Sequence, residues 1–120
     1  MKIISDTTHG MLDYLTVAIF VLAPSILSLT GFAAFVSYAL AAIHLAMTLL
    51  TDMPLGAIKV IPMRLHALVE MLVGPVLVVA ALVLPTILGE KREFFLIMGL
   101  VISVVWLRSS YGRPVADRST

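Results

Sequence analysis

The sequence predicts an all-α fold: a polytopic membrane four-helix bundle made of two helical hairpins repeated in parallel. Three observations point there. Of 120 residues, 61% are hydrophobic and only 12% charged, with a mean hydropathy of +1.11, far more apolar than a soluble domain needs. The apolar residues gather into four runs, each near the roughly 20 helical residues that cross a hydrocarbon core of about 30 Å. Motifs in the first half return in the second.

Helices are expected over about 11–29, 32–51, 63–88 and 94–111, all in a single membrane domain covering 1–120. In hydrocarbon the backbone must satisfy itself, which makes each run a helix. The first run follows Lys2 as a signal-peptide core would, but Asp6, Asp13 and the length of the run mark it as part of the mature chain. Ser28 to Gly31 is short and uncharged, so the first two helices form a tight antiparallel hairpin. Gly89 to Glu93 joins the last two in the same way. Between the hairpins, Asp52 to Pro62 mixes Pro54, Gly56, Lys59 and Pro62 with Leu55, Ile58, Val60 and Ile61, as a segment lying in the interface would. The polar tail 112–120 has no apolar face to bury and is expected to be flexible.

Pro24 and Pro85 fall near the outer ends of their helices, where they kink or stop the helix at little cost. Pro75, following Gly74 inside the third helix, predicts a kink. Trp106, with Tyr111 nearby, reads as an interfacial anchor.

The basic residues Lys2, Lys59, Arg64, Arg108, Arg113 and Arg118 fall on one side of these helices and Lys91 and Arg92 on the other. Six against two places both termini and the middle loop in the cytoplasm. No basic face suits nucleic acid, so none is expected as a partner. The lipid bilayer is the expected partner, with a homo-oligomer or another membrane protein compatible with the apolar outer faces. Without cysteine there is no disulfide, thiolate-held zinc, iron–sulfur cluster or thiol catalysis. Any metal would need His and carboxylate.

The internal repeat is visible in His9-Gly10-Met11-Leu12-Asp13 against His66-Ala67-Leu68-Val69-Glu70, 57 positions on, and in Ala23-Pro24-Ser25-Ile26-Leu27 against Leu84-Pro85-Thr86-Ile87-Leu88, 61 positions on. The four extra residues lengthen the third helix by about one turn. The units run over about 8–52 and 65–109. Each crosses twice and returns to its starting side, so the copies share one orientation.

Candidate chemistry sits at the start of each unit. A spacing of four residues stacks His9 over Asp13 and His66 over Glu70. Carboxylates near hydrocarbon are costly and call for partners, so both are expected to face the bundle interior. His44 lies on a small and polar stripe with Ala34, Ser37, Ala41 and Thr48, a face that permits close helix contact. The predicted polar cluster is therefore His9, Asp13, His44, His66 and Glu70, with Asp52, Arg64 and Arg108 at its mouth.

Three readings follow. In the first, the cluster locks the hairpins together, Arg64 and Arg108 neutralise the acids, and the protein is a non-enzymatic scaffold or partner without catalytic residues or cofactor. In the second, His9, Asp13, His44, His66 and Glu70 hold iron, manganese or zinc, or paired histidines such as His9 and His66 hold haem. In the third, an oligomer moves protons or a small solute through intramembrane His, Asp and Glu.

Thr8-His9-Gly10-x-x-Asp13-Tyr14, Leu50-Thr51-Asp52, Ile61-Pro62-Met63-Arg64-x-His66 and the Pro-containing closes of the first and third helices resemble the bacterial SPW-repeat membrane proteins, over roughly residues 5 to 110. The Ser-Pro-Trp motif reads Ala23-Pro24-Ser25 in one copy and Leu84-Pro85-Thr86 in the other, with tryptophan in neither. The resemblance implies two hairpins in a bacterial cytoplasmic (inner) membrane. It carries no activity and no catalytic residue.

Overall fold

The computed structural model describes residues 3–109 and 111. Lys2, Arg113, Arg118 and the whole tail 112–120 lie outside the described residues. The fold is all-helical, with α1 over Asp6–Ile26, α2 over Gly31–Leu50, α3 over Met63–Val83, the single turn α4 over Pro85–Leu88, and α5 over Arg92–Arg108. Among the described residues there is no strand, only isolated bridges of Ile4 with Ser109 and Thr51 with Ile61. The N-terminal turns of α1 and α3 and the C-terminal ends of α2 and α5 meet at one end of the molecule. The turns after α1 and α4 form the other.

Three helices, α1, α2 and α3, are long and apolar enough to cross a membrane. The 17 residues of α5 rise about 25 Å, less than the hydrocarbon core, so this helix is shorter than the expected fourth span.

α1 begins at Asp6, not Met11. Ser5 caps it, its hydroxyl accepting from Thr8 N at 3.3 Å, and Asp6 suits the positive end of the helix dipole. The apolar run marks only what lies in oil, whereas the cap sits in the polar residues before it. The third helix likewise divides. Leu84 leaves helical geometry at φ −115 and ψ 52, and Pro85 starts a separate turn. A proline has no N–H for the carbonyl four residues back and disfavours α geometry in the residue before it. The extra turn therefore extends the chain as a new short helix. Pro75, in contrast, sits within a continuous α3.

The close-packed pairs are α1 with α2 and α3 with α5. In the first pair, Pro24 cannot donate to the carbonyl of Phe20, and the buried Ser37 hydroxyl of α2 donates to it instead at 2.7 Å. In the second, Gly74 and Gly99 let the backbones meet. A Cβ on Gly74 would collide with Ser103 Oγ, and one on Gly99 would lie 2.7 Å from the Gly74 carbonyl oxygen. The apolar core, with Phe20, Ala33, Leu77, Leu88, Phe95 and Ile102, occupies the half nearest the α1–α2 turn. Large apolar side chains such as Phe35, Val76 and Ile97 face outward on every long helix, as lipid contact requires.

Candidate functional site

At the opposite end four buried side chains converge: His9 (0% exposed), Asp13 (3%), His66 (1%) and Glu70 (4%). One ligating atom from each lies within 4.8 Å of the others. His9 Nε2 is 3.2 Å from Asp13 Oδ2 and 3.0 Å from Glu70 Oε1. His66 Nε2 is 3.1 Å from Asp13 Oδ2 and 2.6 Å from Glu70 Oε1. Each imidazole thus faces both carboxylates, its own helix neighbour one turn on and the acid of the other helix.

The outward atoms of the four are all engaged elsewhere. Ser109 Oγ donates to Val105 O at 2.6 Å, so it accepts from His9 Nδ1–H, also at 2.6 Å. The Thr51 hydroxyl donates to Met47 O, so it accepts from His66 Nδ1–H at 2.7 Å. These bonds turn both Nε2 atoms toward the carboxylates. Tyr111 OH donates to Glu70 Oε2 at 2.7 Å, its ring 4.9 Å from that of His9. His44 Nε2 lies 3.2 Å from Asp13 Oδ1. The inward Asp13 Oδ2 has no hydrogen-bond partner. It sits near both Nε2 atoms but off their bonding directions, which Glu70 Oε1 occupies instead.

The four side chains offer the ligand types and the convergence with which a metal ion could be held. Imidazole ligands characteristically donate their second ring N–H to a fixed acceptor, and ligating carboxylates are themselves hydrogen-bonded. Four ligands at about 2.0–2.2 Å in a tetrahedron lie about 3.3–3.6 Å apart. The four His–carboxylate contacts of 2.6–3.2 Å would need to open by about 0.1–1.0 Å, most at His66–Glu70, and the longest separation within the set, up to 4.8 Å, would need to close. Two carboxylates also balance one divalent cation, removing the net charge from a buried site.

Several expected members stand elsewhere. His44 joins the cluster through the outer oxygen of Asp13 and lies beyond the converging atoms, so it is not among the four side chains that meet there. Asp52, Arg64 and Arg108 are exposed, and among the described residues no ion pair links them to the cluster. The arginines therefore do not neutralise the acids; histidines face them. The polar residues at the helix ends point into water, where a guanidinium keeps its hydration. Haem does not fit, because the carboxylates fill the space between the two Nε2 atoms and leave no gap for a porphyrin.

Thr51, Ser109 and Tyr111 enter the site unanticipated, Tyr111 as a carboxylate partner where an interfacial anchor was expected. For the first two a signal existed. Thr51 and Ser109 lie 58 positions apart, close to the repeat offset of the histidines, and each closes the helix that precedes the turn or chain end. Their bridges correspond too: Ile61, five residues before His66, pairs with Thr51, and Ile4, five before His9, pairs with Ser109. Nothing comparable flags Tyr111.

Compared with family models, curated proteins and solved structures, the chain matches none at a significant level.

Proposed function

We propose that the protein is an integral membrane protein that holds one divalent transition-metal ion between His9, Asp13, His66 and Glu70. The observation that carries this reading is the division of polar atoms: every outward one is bonded to a neighbour, whereas the inward ones converge and leave Asp13 Oδ2 without a donor. A set of two imidazoles and two carboxylates suits iron, manganese or zinc better than calcium or copper(I).

The same reading takes the chain as four crossings in two parallel hairpins, with both termini on the cytoplasmic side of a bacterial inner membrane. The matching partners of the two histidines support the two-copy organisation, and the short α5 bonds to the end of the site that α2 also reaches. The proposed kinship with SPW-repeat proteins rests on the quoted motifs. Permeation is disfavoured by the tightly filled apolar half around Phe20 and Phe95, both fully buried. A bilayer is the primary partner, and the exposed apolar faces are open to a second copy or another membrane protein.

The alternative is a helix lock within a scaffold protein, favoured by the way the site ties α1 to α3 and to the ends of α2 and α5. Elemental analysis of protein purified in mild detergent, without chelator or histidine tag, separates the two. Near-stoichiometric metal that disappears in His66→Ala supports the metal centre. Metal-free protein whose melting point falls in the same variant supports the lock.

A further inference from the structure

A small crevice opens between α2 and α3 beside the site. Its walls are Leu40, Ile43, Met47, Val69, Val73 and Ile102, and its floor is formed by His44, His66 and Glu70. Ile43 at its rim is 57% exposed on a helix apolar enough to span a membrane, so the opening faces the hydrocarbon. The volume is about 20 Å³, enough for one molecule of roughly water size, since a single probe sphere needs about 10–15 Å³. Water is a poor occupant. It needs 2–4 polar partners, and the walls that it would pass offer only apolar side chains. An ion would cross an apolar wall, and a quinone or lipid headgroup is far too large.

We propose that this crevice admits an uncharged diatomic gas, such as dioxygen, from the bilayer to coordinate reversibly to an iron(II) ion held by His66 and Glu70. The proposal rests on the metal reading and adds to it the class of exogenous ligand and its route. Apolar gases partition into hydrocarbon, so a lateral opening serves them where an aqueous channel would serve ions.

Nitric oxide is the probe. Protein loaded anaerobically with iron(II) is assayed first for bound iron, then for an iron–nitrosyl paramagnetic resonance signal and its rate of formation. The expected result is bound iron, a nitrosyl signal, and formation about tenfold slower in Val73→Phe and in Ile43→Trp at unchanged iron content. Ile43→Trp blocks the rim without disturbing the core, so it remains decisive where Val73→Phe does not fold. Protein that binds no metal at all defeats the metal reading and this inference with it. Protein that binds zinc but not iron, or binds iron without a nitrosyl signal, overturns only the gas site. Wild-type rates in the blocked variants overturn the route.

Discussion

At one end of the molecule His9, Asp13, His66 and Glu70 are joined across helices by contacts of 2.6–3.2 Å, whereas the other half closes on Phe20, Leu77, Leu88 and Phe95 with hardly a polar group among them. Both regions are buried, yet they tolerate change differently. The apolar half is governed by volume: Gly74 and Gly99 meet there because nothing larger fits. The polar end is governed by partners, and removing one group leaves another buried and unsatisfied. Between helices in lipid there is no hydrophobic drive, because lipid is as apolar as the core, which leaves close packing such as that of Gly74 with Gly99 and interhelical hydrogen bonds. The polar end adds hydrogen bonds across the two helix pairs to that packing.

Breaking that end should have the largest effect. Glu70→Gln removes the negative charge and turns one of the two accepting oxygens, used by the imidazoles and by Tyr111, into an amide NH2; it is expected to abolish metal retention, measured by elemental analysis, and to cost about 3–5 kcal/mol in a detergent or denaturant melt. Retained metal with normal melting would contradict the comparison outright. Next come the orienting hydroxyls. Thr51→Val and Ser109→Ala should each weaken metal affinity about 10–100-fold in competition with a soluble chelator, as loss of an imidazole-orienting partner does. Thr51→Ser should restore it, an outcome that simple packing at this position would not give.

In the apolar half the response should be purely steric. Gly74→Ala should destabilise by about 1–3 kcal/mol through overpacking, read as a lower melting point, while metal bound per folded molecule stays constant. A parallel loss of metal would mean that the two ends are coupled through α3. Arg64→Ala should sit at the bottom of the scale, within about 0.5 kcal/mol and with full metal content, because its side chain is exposed and outside the cluster.

Helical hydropathy was legible wherever lipid decides the outcome, as in the runs that became α2 and most of α1 and α3. It was least informative at the ends. The start of α1 is set by Ser5 and Asp6, which no apolar pattern includes, and the break at Leu84 by a proline whose local geometry outweighs the continuous run around it. In the site, the His-x-x-x-acid spacing brought His9, Asp13, His66 and Glu70 into view because their cost in hydrocarbon demands a partner. Charge alone pointed to Arg64 and Arg108 as those partners. It misled because the acids are met by the histidines and, at Glu70, by Tyr111, while Thr51 and Ser109 hold the histidines in turn; the roles of these three common residues appear only when helix ends come together. His44 was placed on the right face but one contact too near the centre.

The partner of His9 Nδ1, Ser109, lies 100 residues further along the chain. During synthesis His9 Nδ1–H is therefore made long before the hydroxyl that accepts from it, whereas Asp13 meets His44 and His66 sooner. Completion of α5 then does more than add a helix: it brings Ser109 to close the shell around an imidazole made 100 residues earlier.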